Sequence, residues 1–141
     1  MVDLPLNEDL LQYISVFENI TRTRVQDCLY NDDKVVFVVA RGQLGHAIGK
    51  GSERIRKMKE MFRKSVDIIE YNSDPKEFVK NIFHNYGVKN VTIEIQGNKS
   101  EACVEVDPAQ KGKAIGKNGK NLKLARDLAN RHHKIDSVVV A

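Results

Sequence analysis

The sequence has no tryptophan, and aromatic residues make up 6% of its 141 positions. That leaves little material for a broad aromatic platform on which planar ligands stack. Its two cysteines, Cys28 and Cys103, lie far apart. They offer neither a metal-ligand spacing nor a disulfide framework and are expected to be free thiols. No apolar run approaches the roughly 18 residues of a membrane-spanning helix. The start, MVDLPLNEDLLQ, is acidic and lacks the basic stretch that opens a secretory signal. The chain is therefore expected to be cytoplasmic, with no membrane partner. N-x-[ST] triplets at Asn19, Asn90 and Asn98 carry no weight without secretion. There is no nucleophile with a base at a recognisable spacing, no metal-ligand pattern and no paired carboxylates. The expectation is a protein that is not an enzyme and takes no metal or cofactor.

What is present is charge, unevenly placed. The net charge is +4. Residues 41–64 hold eight Lys/Arg against two Asp/Glu, and residues 111–134 hold eight against one. Two basic windows in a chain of modest overall charge point to an anionic partner met at defined places.

The two windows are also related to each other. Shifted by 67 residues, QLGHAIGKGSERI (Gln43–Ile55) lies over QKGKAIGKNGKNL (Gln110–Leu122). Gln, Gly, Ala, Ile, Gly and Lys recur in place. Strand-like runs precede both (Lys34–Ala40 and Glu101–Asp107) and follow both (Val66–Tyr71 and Ile135–Val140). Self-similarity of this kind marks a repeated structural unit. The repeat predicts two domains, 1–73 and 74–141.

Each copy reads α-β-β-α-α-β. In the first, Asn7 suits a helix cap with Glu8 and Asp9 in the opening turn. Leu10, Leu11, Ile14 and Phe17 follow at helical spacing. Strands are expected over Val25–Tyr30 and Lys34–Ala40, a short helix over Gly42–Ile48, and a longer one over Ser52–Lys64 with Ile55, Met58 and Phe62 inward. The second copy opens on Asn72-Ser73-Asp74-Pro75, a cap followed by proline at the first helical position. Phe78, Val79, Ile82, Phe83 and Tyr86 follow, with Gly87 ending the helix. A hairpin over Val91–Ile95 and Ala102–Val106 comes next. Helices over about Pro108–Ile115 and Lys120–His132, the latter with Leu122, Ala125, Leu128 and Ala129 inward, lead to the final strand. Tyr13, Phe17, Phe78 and Phe83 read as core. His132-His133 ends a helix, where imidazole suits the dipole, and neighbouring histidines point to different sides, so no metal site is read there.

The glycine steps carry the chemistry. A turn with glycine lets the backbone approach a ligand with no Cβ between them. The helix that follows presents unpaired N–H groups and the positive end of its dipole, which together suit phosphate oxygens. Lysine in the turn adds a mobile charge, and Ile48 or Ile115 would floor a groove beside it. A nucleotide P-loop needs G-x-x-x-x-G-K-[ST], but Leu44 and Lys111 stand where its first glycine belongs, and Gly51 and Asn118 follow the lysines.

What fits is I-G-x-x-G with an apolar residue three positions on, as in IGKNGKNL. This resembles the KH domain, whose GXXG loop clamps about four nucleotides of single-stranded backbone. The order α-β-β-α-α-β, ending on a strand, resembles the type II form. It implies an α+β sandwich in which helices pack on a three-stranded mixed sheet, twice in tandem. A tandem type II pair filling almost the whole chain is similar to the KH core of the NusA transcription-factor family, in its short archaeal form. That resemblance implies a monomeric factor of transcription elongation and termination that binds nascent single-stranded RNA, with RNA polymerase nearby. It implies RNA contacts at Gly116, Lys117, Asn118 and Gly119, flanked by Lys113, Ile115 and Lys120. In the first copy the matching residues are Ile48, Gly49, Lys50, Gly51 and Ser52, flanked by Arg54 and Arg41. His46 stands opposite Lys113 and is expected to be exposed. The first copy departs from the pattern, since Ser52 occupies the last glycine position. Serine adds a Cβ where the backbone should come close, and it is a good N-cap. It is expected either to cap the helix while loosening the clamp or to bond a phosphate itself. Two other readings use the same residues: a KH protein of the ribosome or its assembly, and an adaptor whose KH pair docks proteins.

Overall fold

The computed structural model describes residues 7–141. The chain divides into two compact units, the first ending at Tyr71 and the second beginning at Asn72. Asn72 belongs to the second unit through its own bonds. Its side chain accepts from the Asp74 amide at 2.8 Å, and its carbonyl oxygen lies 2.8 Å from His133 Nε2.

The first unit runs α1 (Glu8–Thr21), β1 (Asp27–Tyr30), β2 (Lys34–Val39), α2 (Leu44–Ile48), α3 (Glu53–Phe62), β3 (Ser65–Glu70). Asn7 caps α1 as the sequence suggests, with its side-chain oxygen accepting from the Leu10 amide at 2.8 Å. β1 pairs antiparallel with β2, and β2 pairs parallel with β3. A parallel neighbour requires a crossover, and here α2 and α3 supply it. The core joins Leu10 and Phe17 of α1, Met58 of α3, Ala47 of α2, and Val35, Phe37, Val66 and Ile68 of the sheet. Phe17 stacks on Phe37 at 4.2 Å between ring centroids. Tyr13 meets Tyr30 and Phe62 edge-on at the rim, with the Lys64 ammonium over the Tyr13 and Tyr30 rings.

The second unit repeats the order: α4 (Pro75–Ile82), β4 (Val88–Gln96), β5 (Lys99–Val106), α5 (Lys111–Ile115), α6 (Lys120–His133), β6 (Ser137–Val140). Single 3₁₀ turns stand at His84–Tyr86, Pro108–Gln110 and Lys117–Gly119. Asp74 caps α4 by accepting from the Lys76 amide at 3.0 Å, and Pro75 takes the first helical position. β4 and β5 are antiparallel, and β5 and β6 parallel. Phe78, Val79, Phe83, Leu128 and Ala129 are buried with Val91, Ala102 and Val104 of the sheet. Both units are thus α+β with a three-stranded mixed sheet, the fold expected of tandem type II KH domains.

Some elements differ from the sequence reading. Leu11 is 51% exposed, because the buried stripe of α1 runs through Leu10 and Phe17 and one residue on is a rotation of about 100°. Leu122 is half-buried, while Leu124 is buried. Ile135 is buried but precedes β6. Lys134 takes a left-handed backbone (φ 55°) that ends α6, and the Asp136 amide then bonds to the Ser100 carbonyl before the ladder begins.

Candidate nucleic-acid interface

Both glycine steps sit where a short helix ends and a longer one begins, α2 to α3 and α5 to α6. Ala47 and Ala114 are buried, and the small side chain lets each short helix lie close to its sheet. Ile48 and Ile115, next in sequence, are half-buried. Each short helix ends on its loop's first glycine: the Gly49 amide donates to Gly45 O, and the Gly116 amide to Gly112 O, both at 2.9 Å.

These first glycines have a reason that lies inside the protein. Gly49 has φ 70°, ψ −159°, and Gly116 has φ 79°, ψ 165°. This region is essentially closed to residues with a side chain. A Cβ at Gly49 would stand 2.9 Å from the Arg54 guanidinium, and one at Gly116 would stand 2.9 Å from the Asn121 amide nitrogen. Arg54 and Asn121 occupy the same place under the 67-residue shift, and both reach back to the short helix. Arg54 Nη1 donates to His46 O at 2.7 Å, with longer bonds to Thr21 O and Ala47 O. Asn121 Nδ2 donates to Ala114 O at 2.7 Å. Arg54, expected at the RNA surface, thus has its guanidinium turned toward backbone carbonyls. Asn121 is its counterpart, unnoticed in the sequence because it carries no charge.

Beyond the first glycine the two loops diverge. In the second, Asn118 (φ 58°) and Gly119 (φ 72°) are both left-handed, and the Gly119 amide closes onto Gly116 O at 3.0 Å. In the first, Gly51 is left-handed (φ 67°), but Ser52 is not (φ −110°, ψ 11°). Serine is accommodated because the backbone changes path at that position. It does not cap α3, since its near-zero ψ departs from the extended backbone that aims a cap oxygen at the helix amides. Instead Ser52 Oγ accepts from Arg56 Nη2 at 3.1 Å.

Among the four longer helices, α1, α3, α4 and α6, those that begin at the loops differ from those that do not. α1 and α4 carry side-chain caps; α3 and α6 have none. Each loop sits at the positive end of a helix dipole, and at α6 the Lys120 amide donates back to Lys117 O. In the second unit Lys111, Lys113, Lys117 and Asn118 are exposed around this end, and Ile115, Gly116, Gly119 and Lys120 are half-buried. In the first, Arg41, His46, Lys50, Gly51 and Ser52 are exposed, and Gly49 and Arg54 half-buried. Gly45, His46, Gly49, Lys50, Glu53 and Arg54 line a shallow open concavity. Glu53 opens α3 with a negative charge where Lys120 opens α6. His46 Nε2 lies 3.3 Å from Arg22 O. His132 and His133 both lie against the Phe78 ring, with centroids 5.3 and 5.2 Å away. Among the described residues no group of three His, Cys, Asp or Glu could hold a metal ion, and no helix is long and apolar enough to cross a membrane.

Two such units in series define a tandem KH-domain protein. Residues 12–73 match the KH domain, and residues 75–139 match the NusA-like second KH domain. The probable transcription termination protein NusA of Thermoplasma acidophilum is 34% identical over 99% of this chain and 97% of its own length. Its counterpart in Methanocaldococcus jannaschii is 36% identical over 99% of this chain and 76% of its own. The crystal structure of APE1850 covers 96% of this chain with a TM-score of 0.72 at 31% identity, and all of that chain is matched. The chain belongs to the NusA family of tandem KH proteins.

Proposed function

We propose that the protein binds single-stranded RNA, through the glycine loops of its two KH units, as a NusA-like factor of transcription elongation and termination. The observation that carries this reading is the pairing of two uncapped helix N-termini with two glycine–lysine loops. The same chain caps its other long helices with Asn7 and Asp74. Phosphate oxygens suit the positive end of the helix dipole at each loop. The lysines at Lys50 and Lys117 add charge, and Ile48 and Ile115 provide an apolar floor for a base.

The two loops are unequal. The second combines two consecutive left-handed residues, an unobstructed Gly119 and four nearby lysines, so it is the stronger clamp. The first has Glu53 against the same helix end and binds more weakly. The natural ligand is the nascent transcript, and RNA polymerase is the accompanying partner. The factor acts as a cytoplasmic monomer, by holding RNA rather than by catalysis.

Fluorescence anisotropy with a labelled, unstructured oligoribonucleotide tests this. Lys117→Asp/Asn118→Asp is expected to abolish binding, and Lys50→Asp/Gly51→Asp to weaken it, with circular dichroism unchanged for both. Unaltered affinity in both variants would reduce the glycine steps to structural turns and leave protein docking as the better reading.

A further inference from the structure

The helices that leave the loops carry a second feature that the GXXG pattern does not include. Arg56 and Lys59 lie on α3, and Lys123 and Arg126 lie on α6. All four are exposed. Under the 67-residue shift they coincide pairwise, 56 with 123 and 59 with 126. Beyond the loop lysines Lys50 and Lys117, the other exposed cations of these two helices and their ends do not recur so: Lys57 faces Leu124, and Arg63 faces Asn130.

Their spacing sets their direction. Residues three and four apart are neighbours on a helix surface. Arg56 and Lys123 stand one turn beyond the last loop residue, Ser52 or Gly119. Lys59 and Arg126 stand three further on. At 1.5 Å per residue the pair lies about 6 and 10 Å along the helix from the loop. Each pair is therefore a basic ridge that starts at the loop and runs away from it.

Intrahelical pairing does not account for the ridge. Glu60 and Asp127 lie four residues after Arg56 and Lys123, but the cation-before-acid order is the poorer one for such pairs. Among the described residues, no ion pair joins Arg56 to Glu60 or Lys123 to Asp127. Arg56 turns the other way, toward the loop, and donates to Ser52 Oγ at 3.1 Å. Two cations three residues apart repel each other, at a cost of a few tenths of a kcal/mol in an isolated helix. An anion spanning the pair would relieve that repulsion in both copies.

We infer that these ridges, Arg56–Lys59 and Lys123–Arg126, are a second phosphate-binding step in each unit, continuing the path of an RNA backbone beyond the glycine loop. This rests on the RNA-binding reading above. In the first unit Ser52 takes the role of positioning residue, holding the Arg56 guanidinium beside the loop. Arginine's planar fork suits phosphate. The serine that departs from the glycine pattern thereby recruits a cation where Glu53 offsets the positive end of the helix dipole.

The test is the salt dependence of binding to fluorescein-labelled oligouridine, measured on the full chain over a range of KCl concentrations. The variants are Arg56→Gln/Lys59→Gln and Lys123→Gln/Arg126→Gln. Glutamine keeps helix propensity close to that of lysine and arginine. Lys76→Gln/Lys89→Gln removes two exposed cations away from the loops as a control. Each lost phosphate contact flattens the log–log slope by about 0.7, which amounts to roughly fivefold in affinity at 0.1 M salt. Each ridge variant is expected to lose one to two contacts by that measure, and the control none. A wild type that binds with normal salt dependence, alongside ridge variants whose slope matches it, would overturn the ridge and leave the loops as the whole site. A slope lowered equally in the control would also overturn it, as a nonspecific charge effect. A wild type with no salt-dependent binding would remove the RNA reading itself, and the ridge with it.

Discussion

Replacing Gly116 by alanine should unfold the second unit more readily than any other glycine change in its loop. Two terms add. The backbone at φ 79°, ψ 165° lies in a region nearly exclusive to glycine, at a cost of about 1–3 kcal/mol for a side chain. The new Cβ would also stand 2.9 Å from the Asn121 backbone nitrogen and 3.0 Å from its Cβ. That neighbour is the first turn of α6 and not the end of a flexible side chain, so relief means moving the helix. The movement strains the Asn121 Nδ2 bond to Ala114 O, which contributes about 1 kcal/mol. The total is about 2–4 kcal/mol. Gly119→Ala is the internal comparison. Its φ of 72° and ψ of 15° are left-handed, costing about 1–2 kcal/mol, and a Cβ there meets nothing within 4 Å. Urea denaturation followed by circular dichroism gives the overall loss. Hydrogen exchange of the β5 amides reports the second unit within the intact chain. If Gly119→Ala proved as damaging as Gly116→Ala, or Gly116→Ala cost under about 1 kcal/mol, the first glycine would not be a packing requirement and the reasoning would fail.

The first unit offers the same logic with a flexible neighbour. Arg54→Ala should destabilise it by about 1–2 kcal/mol through loss of a charged bond to His46 O. It should also lessen the damage of Gly49→Ala, since the guanidinium that a Cβ would strike is gone; a double-mutant cycle with zero coupling would contradict this. Asn7→Ala removes the cap on α1 and should cost about 1 kcal/mol in a thermal or urea melt, while leaving RNA affinity unchanged.

The caps, the two sheets and the position of the loops can be read from residue types alone. Asn7, Asp74 and Pro75 announce their helices, and the repeat of QxGxAIGK places both loops at once. The loops' conformations cannot be read that way. Ser52 looks like a cap by composition, yet the backbone torsion it adopts decides whether its oxygen reaches an amide, and residue type alone does not set that torsion. Arg54 looks like an RNA contact for the same reason that any arginine beside a loop does. Its pairing with uncharged Asn121 in the repeat is the signal that the position serves the carbonyls of the short helix. The exposure of Leu11 depends on the rotation of α1 about its axis, which a spacing rule fixes to within one residue and no better.

Because α3 and α6 lack side-chain caps, the proposed RNA site would tie the protein's stability to its ligand. A helix capped by its own side chain has the same end whether or not a partner is present. A helix whose cap arrives from outside has a looser first turn when empty and a firmer one when occupied. Occupancy then adds to the folding free energy by mass action, about 2.7 kcal/mol at a hundredfold excess over the dissociation constant. Under the proposed function, part of what completes this fold would be carried by the RNA, and the melting temperature would double as a gauge of how fully the loops are filled.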